Sequence, residues 1–143
     1  MSDAIWLVAG GQNIDLIATA RQPFHLSDST PGDVVERAGG VAFNIARNLA
    51  LLTRPVYFLS VRGDDAVGLA LDSIGRESNL ELDHVLVKTD LSTSRYIAIN
   101  DETGDMVAAI NDMTAMESLE RISCENIVHF LRGEKDRVFK LVN

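Results

Sequence analysis

A pair of glycines followed by an asparagine is the segment of this sequence best suited to bind a small molecule. Gly39 and Gly40 stand directly before a mostly apolar stretch, and Asn44 follows Gly40 by four residues. Glycine lets a ligand approach the backbone closely, and the first turn of a helix offers free N–H groups. An amide side chain donates and accepts hydrogen bonds, which suits the vicinal hydroxyls of a sugar. An ordinary glycine turn before a helix explains these residues alone equally well.

Asn13 and Asp15 form a second polar pair, just past a short apolar run that ends at Gly10-Gly11. Open α/β sheets bind ligands beyond the carboxyl ends of their strands, so this position suits a ligand site. An aspartate there can accept hydrogen bonds from two hydroxyls, and charged acceptors make the stronger ones. The alternative, which these two residues alone favour, is an Asx turn that satisfies its own backbone.

Other motifs that could carry chemistry are absent or have simpler explanations. Gly10-Gly11 lacks the G-x-G-x-x-G spacing of dinucleotide-binding folds, and no G-x-x-x-x-G-K-[ST] phosphate loop occurs. Asp64 and Asp65 follow a glycine and are expected to cap a helix rather than to bind a metal. The three histidines lack metal-ligand spacing, and Cys124 is expected to be a buried small hydrophobe. The sequence therefore predicts no metal site and no catalytic residue.

The elements that must position these residues follow a strand–helix–strand–helix order. Short apolar runs rich in β-formers predict core strands, and apolar residues at helical spacing predict helices. The predicted strands are Ile5–Ala9, Val56–Leu59 and Leu82–Val87, and the predicted helices are Val41–Leu52 and the segment from Asp65 to about Ser78. This order is typical of a parallel sheet with right-handed crossovers.

Further strands interrupt this order. Leu16–Ala20 and Asp33–Ala38 flank a segment of turn-forming residues at Ser27–Gly32. Thr93–Ile99 and Met106–Ile110 flank a second such segment, which predicts a β-hairpin with a longer loop. We expect a small β excursion here rather than another core layer.

The composition bounds the class of protein. The chain has 143 residues, of which 46% are hydrophobic and 24% charged, enough for one domain with a modest core. Its net charge of -8 repels phosphate backbones, so nucleic acid is not an expected partner. A single cysteine, the lack of a secretion-signal pattern and the lack of a run of about 20 apolar residues favour a cytoplasmic protein that does not cross a membrane.

Taken in order, these motifs resemble those of one family. Asn13-x-Asp15 is followed by Pro31-Gly32, by Gly39-Gly40-x-x-x-Asn44-x-Ala46-x-Asn48-Leu49-Ala50 and by Gly63-Asp64-Asp65-x-x-Gly68. Over roughly residues 4–120 this order is similar to the N-terminal part of the ribokinase-like (PfkB) carbohydrate and nucleoside kinases. The resemblance implies an α/β fold, a Rossmann-like αβα sandwich. It also implies a small β-sheet lid formed by Leu16–Ala20, Asp33–Ala38 and the hairpin Thr93–Ile110.

The resemblance also implies a function. Members of this family transfer the γ-phosphate of ATP, with Mg²⁺, to a sugar hydroxyl. The residues implied to hold the ribose hydroxyls are Asn13, Asp15, Gly39, Gly40 and Asn44. Thr93 and Tyr96 on a lid strand, and Asn111 at its exit, are implied to contact or cover the substrate.

Within this family, the segments Asn44–Leu52 and Ala109–Met113 resemble most those of kinases that act on pseudouridine, which favours pseudouridine as the substrate. Three alternatives are a ribose or pentose kinase, a purine nucleoside kinase and a non-catalytic module that forms a homodimer through its lid strands.

The sequence departs from the family in the part that carries out the transfer. The family's catalytic base is the aspartate of a Gly-Ala-Gly-Asp segment, which this sequence lacks. Residues 1–120 carry 8 basic and 18 acidic side chains, whereas residues 121–143 carry 5 and 3. We therefore expect residues 1–120 to be the N-terminal part of a kinase domain and residues 121–143 to be a divergent tail.

The site for ATP and Mg²⁺ is then expected to be largely absent. Such a truncated chain is expected to be inactive alone. It is also expected to be marginally stable or self-associating, because a sheet edge and an apolar face lose their cover.

Overall fold

The strands of the chain form two four-stranded sheets in the computed structural model, which describes residues 5–52, 55–119 and 139–142. The first sheet contains β1 (Ile5–Ala9), β4 (Val56–Gly63), β5 (Val85–Lys88) and β8 (Phe139–Val142). The second contains β2 (Asn13–Ala20), β3 (Gly32–Gly39), β6 (Arg95–Asn100) and β7 (Met106–Asp112). The helices are α1 (Val41–Leu52), α2 (Ala66–Glu77) and the short α3 (Thr114–Glu117). We call the first sheet with its helices the body and the second sheet the lid sheet.

The body is a parallel sheet in the order β5-β4-β1-β8. β1 pairs in parallel with both β4 and β8, and β4 pairs in parallel with β5. The strand–helix–strand–helix order thus produces the α/β arrangement that the sequence predicts. β8 lies in the segment expected to be a divergent tail, and its backbone extends the same sheet, with Phe139 opposite Ile5.

The third predicted strand of the body is displaced along the chain. The apolar run at Leu82–Val87 predicts a strand, but β5 begins only at Val85. Glu81 forms an isolated bridge with Tyr57, and the Val85 N–H then donates to the Leu82 carbonyl. This turn interrupts the ladder, so Leu82 packs against the core instead of continuing the strand.

The core of the body lies between the parallel sheet and helices α1 and α2. Phe43 of α1 and Phe58 of β4 are fully buried, and their ring centroids lie 5.5 Å apart. Ala46 and Ala50 share the buried face of α1, and Leu71 contributes from α2. None of the helices in residues 5–52 and 55–119 is long and apolar enough to cross a membrane.

The lid sheet has the order β3-β2-β6-β7. β2–β3 and β6–β7 are antiparallel pairs, and β2 pairs in parallel with β6 at its centre. This confirms the predicted small β-sheet lid. β2 begins at Asn13, three residues before the predicted Leu16, because Asn13 already pairs with Gly39 and the buried Ile14 belongs to the body core.

The second hairpin of the lid sheet begins later than the sequence predicts. β6 starts at Arg95, so Thr93 precedes the strand instead of lying on it. The Thr93 N–H donates to the Asp65 carboxylate and not to a neighbouring strand, which is why the ladder does not include it.

Candidate substrate site

Asn13 and Asp15 lie on one face of β2, where the lid sheet leaves the body. Alternate residues of a strand point to the same side, so the two side chains are neighbours. Asn13 Nδ2 donates to Asp15 Oδ1 at 2.6 Å. The Asx turn is therefore wrong as an explanation, because both residues are in an extended strand and bond to each other. The buried Asn13 fixes one carboxylate oxygen of the half-buried Asp15.

Neighbouring atoms leave no space for a side chain at Gly39 or at Gly40. Gly39 pairs with Asn13 across the β2–β3 ladder, and a Cβ on Gly39 would collide with the Asp15 carboxylate. Gly40 has a φ of +98°, and a Cβ there would collide with the Gly11 carbonyl. The first glycine makes room for a carboxylate, and the second turns the chain into α1.

Asn44 lies in the first turn of α1, next to this turn. Its backbone N–H donates to the Gly40 carbonyl at 3.0 Å, and its side chain is exposed. The Phe43 N–H donates to the Gly11 carbonyl at 3.2 Å, which ties the start of α1 to the end of β1. We call the junction formed by Asn13, Asp15, Gly39, Gly40 and Asn44 the glycine corner.

Tyr96 and Asn111 extend the row that begins at Asp15. Asp15 is opposite Tyr96 on β6, and Tyr96 is opposite Asn111 on β7. Residues directly opposite each other in a sheet point to the same face, so all three belong to the same face of the lid sheet. Tyr96 is half-buried, and Asn111 is exposed at the edge of the sheet. The structure thus brings these two predicted residues into line with Asp15.

Arg37 is a further polar residue of this row that the sequence analysis missed. It lies opposite Asp15 on β3 and is exposed. The spacing in the sequence could have predicted this position. Arg37 precedes Gly39 by two residues, so the two residues share a face in any strand that ends at Gly39.

Thr93 is placed differently from the other predicted residues. Its side chain is 0% exposed, and its hydroxyl donates to Asp65 Oδ1 at 2.6 Å while accepting from the Gly63 N–H at 3.0 Å. The Asp65 carboxylate also accepts from the Gly68 N–H, which confirms Asp65 as the cap of α2. A substrate contact from Thr93 would require the hydroxyl to give up this bonding.

The charge state of Asp65 follows from these contacts. Partial burial acts to raise the pKa of Asp65, but hydrogen bonds from Thr93 and Gly68 and the positive charge of Arg95 outweigh it. The pKa of Asp65 therefore lies below its ordinary value, and the group is ionised at neutral pH.

Two further carboxylates, Asp101 in the loop between β6 and β7 and Asp112 at the end of β7, also have lowered pKa values for local reasons. The hydrogen bond from the Thr103 hydroxyl lowers the pKa of Asp101, and that from the Thr114 hydroxyl lowers the pKa of Asp112.

Within residues 5–52, 55–119 and 139–142, no group of three His, Cys, Asp or Glu side chains could hold a metal ion. A metal site built only from protein side chains is therefore not found in this part of the chain.

A cavity of about 220 Å³ lies on the body side of the glycine corner. Its walls are mostly apolar and include the backbone of Gly10 and Gly11 and the start of α1 at Val41 and Ala42. Asp15 and Asn44 do not line it. The polar side chains of the corner are therefore not part of the wall of this cavity.

A parallel α/β body with a separate β lid, joined at a polar glycine corner, defines the class of ribokinase-like sugar kinases. Residues 6–130 match the pfkB family carbohydrate kinases, and the chain belongs to this family. The match extends past residue 120, the predicted boundary of the kinase part. A ribokinase from Arabidopsis thaliana that was solved with ribose and ATP has a similar fold, with a TM-score of 0.66 and 23% identity over 78% of this chain and 36% of that one.

Similar proteins include nucleoside and sugar kinases. Pseudouridine kinase of Escherichia coli is 35% identical over 113 residues, which are 79% of this chain and 36% of that protein. Guanosine-inosine kinase of Exiguobacterium acetylicum is 27% identical over 126 residues, which are 88% of this chain and 42% of that protein. A carbohydrate kinase from Agrobacterium tumefaciens has a similar structure, with a TM-score of 0.71 and 33% identity over 80% of this chain and 36% of that one. The chain thus spans well under half the length of these relatives.

The steric demand of the glycine corner can be separated from backbone strain. Gly104 also has a positive φ, +92°, but a Cβ there would meet nothing within 4 Å. We expect Gly104→Ala to cost about 1 kcal/mol of unfolding free energy from strain alone. Gly40→Ala should cost at least about 3 kcal/mol, because the collision with Gly11 adds to the strain. Urea unfolding followed by circular dichroism measures both, and equal losses would contradict a steric requirement at Gly40.

The ionised Asp65 predicts a specific dependence of stability on pH. A carboxylate whose pKa is lowered by folding stabilises the fold above the pKa of an unfolded aspartate, about 3.9, and loses this effect as the pH falls through the folded-state pKa. We expect the stability difference between the native chain and Asp65→Asn to be largest at neutral pH and to shrink below about pH 4. Unfolding curves from pH 7 to pH 3 test this, and a difference that does not change with pH would contradict it.

Proposed function

We propose that this chain forms the sugar-binding part of an ATP-dependent nucleoside kinase whose substrate is pseudouridine. The observation that carries the proposal is the glycine corner, in which a carboxylate with a fixed orientation stands over a backbone segment without side chains. Such a surface suits a ring that carries adjacent hydroxyl groups.

Asp15 would accept hydrogen bonds from two sugar hydroxyls. One of its oxygens already accepts from Asn13, which holds the carboxylate plane, and the carboxylate lies against Gly39. An ionised acceptor makes stronger hydrogen bonds to hydroxyls than a neutral one. The exposed amide of Asn44 would supply a further donor and acceptor.

Tyr96 and Asn111 would contact the base of the nucleoside. They share the face and the row of Asp15, at increasing distance from the corner. An aromatic ring can cover a planar base, and an amide can pair with the N–H and carbonyl groups of a uracil-like edge. Similarity to pseudouridine kinase supports this substrate, and similarity to guanosine-inosine kinase makes a purine nucleoside the second candidate.

The phosphoryl transfer itself would need groups that this chain lacks. The sequence contains no Gly-Ala-Gly-Asp segment. Loss of a general base typically costs about 10²- to 10⁴-fold in rate, and phosphoryl transfer also needs charge stabilisation. We therefore propose that the chain binds its substrate, in the cytoplasm, but does not turn it over alone.

A second copy of the chain is the partner we propose, through the lid sheet. On the face opposite Asp15, the lid sheet exposes Val34, Ile97 and Ile110, the last to 71%. Exposed apolar side chains grouped on one face are typical of an interaction surface. The non-catalytic, dimerising module remains an alternative on the same observation.

Calorimetry against pseudouridine, inosine, guanosine and ribose tests the proposed substrate. We expect pseudouridine to bind best and Asp15→Asn to weaken binding by about 10-fold or more, because a hydrogen bond to a charged group is worth about 1.5–3 kcal/mol. Asp83→Asn removes an exposed carboxylate outside the corner and should leave affinity unchanged. A native chain that binds none of the four compounds would contradict the proposal.

Light scattering after size exclusion tests the proposed dimer. Ile110→Lys should shift the chain toward the monomer, because a charge would have to be buried in the interface. Ala109→Lys places the same charge on the other face of β7 and should leave the dimer intact. A native chain that is monomeric at all concentrations would rule the dimer out.

A further inference from the structure

One carboxylate joins the body to the lid sheet away from the glycine corner. Asp65 stands at the start of α2, and both of its oxygens have two partners. Oδ1 accepts from the Gly68 N–H at 2.8 Å and from the Thr93 hydroxyl at 2.6 Å. Oδ2 accepts from the Thr93 N–H at 3.0 Å and lies 3.5 Å from the Arg95 guanidinium. Oδ1 therefore connects the start of α2 with Thr93, and Oδ2 contacts Thr93 and Arg95 of the lid sheet.

The segment that Asp65 holds leads directly into the candidate site. The Ser94 carbonyl accepts from the Ile14 N–H at 3.1 Å, and Arg95 is opposite Ile14 in the ladder between β6 and β2. Ile14 lies between Asn13 and Asp15 in the chain. The contacts of Asp65 thus set where β6 begins, and the start of β6 sets where Tyr96 stands beside Asp15.

The packing around this joint leaves little room for rearrangement. A Cβ on Gly63 would lie 2.6 Å from the Thr93 N, and one on Gly68 would lie 2.9 Å from the Thr93 Oγ1. The turn of residues 63–65 therefore fits closely around Thr93. The Thr93 hydroxyl also accepts from the Gly63 N–H, so the turn and the segment hold each other in place.

We propose that Asp65 is a positioning residue, which acts through Thr93 and Arg95 to hold β6 of the lid sheet in register against the body. It contacts no substrate. Through β6 it fixes the placement of Tyr96 relative to Asp15, and only its effect on ligand affinity rests on the proposed function.

Asp65→Asn separates the two roles of this carboxylate. Asparagine caps helices as well as aspartate does, so its oxygen can still accept from Gly68 and from the Thr93 hydroxyl. Its NH₂ group would then face the Thr93 N–H and Arg95, where only an acceptor fits. The variant keeps the cap of α2 and the bond from the Thr93 hydroxyl, and it loses the acceptor for the Thr93 N–H and for Arg95.

Amide hydrogen exchange and NMR chemical shifts of the ligand-free chain provide the test. In Asp65→Asn we expect the Thr93 amide to exchange at least about 10-fold faster while the Gly68 amide is unchanged, and the amide signals of Asp15 and Tyr96 to shift. Asp64→Asn, the same change at the exposed neighbouring residue, should alter none of these signals. Equal acceleration at Thr93 and Gly68, or unmoved signals of Asp15 and Tyr96, would overturn the proposal.

A pair of variants at Thr93 distinguishes loss of this hydrogen bond from a general loss of stability. Thr93→Val removes the hydroxyl at nearly constant volume and should shift the amide signal of Tyr96. Thr93→Ser keeps the hydroxyl and should leave the Tyr96 signal at its native position. Failure of Thr93→Ser to restore the signal would count against positioning through this bond.

If the native chain binds pseudouridine, Asp65→Asn should weaken binding about 10-fold, and an unchanged affinity would overturn the positioning role. If the native chain does not bind, the proposed function fails, and the exchange and shift data alone decide the role of Asp65.

Discussion

The contact between the Asp15 carboxylate and the backbone of Gly39 is the constraint on which the candidate site depends. Asp15 can lie over β3 only because position 39 has no side chain. The hydrogen bond from Asn13 then fixes the carboxylate on this backbone. A carboxylate held in this way keeps lone pairs for a ligand while its orientation no longer varies. The same two glycines redirect the chain from the lid into the body, so the site and the junction between the sheets are the same place.

The lid sheet is joined to the body by connections of different chemistry. At the start of β2 the contact is apolar, because Ile14 is buried in the core beside Phe43. At the start of β6 the contact is polar and passes through Asp65. The turn that carries Asp65 is itself braced by Arg62, which donates to the Gly63 carbonyl at 2.8 Å and pairs with Asp72 of α2 at 2.8 Å. Burying an ion pair costs desolvation free energy that offsets much of its attraction. We therefore expect the pair of Arg62 and Asp72 to fix the geometry of this turn more than to raise the net stability of the fold.

A sugar kinase must both bind its substrate and transfer a phosphoryl group, and the proposed function assigns this chain to the first task. Under the proposed function, the described residues would supply polar groups that orient hydroxyls and a sheet that covers a bound ring. They offer no cluster of side chains for a metal. Phosphoryl transfer depends on both positioning and charge stabilisation. The chain, which spans 36% of the E. coli pseudouridine kinase, carries residues suited to the first requirement.

The sequence by itself determined the elements and the composition of the glycine corner. Apolar spacing located both main helices, and turn-forming residues located the lid hairpins, because these signals act over a few neighbouring residues. Tertiary structure decided the register, since pairing of β2 with β3 and β6 depends on residues distant in the chain. It placed Arg37 in the row of Asp15, and it moved Thr93 from the predicted lid strand into the buried network of Asp65. No local pattern contains this information, because a hydrogen bond between residues 65 and 93 exists only once the body and the lid sheet are packed together.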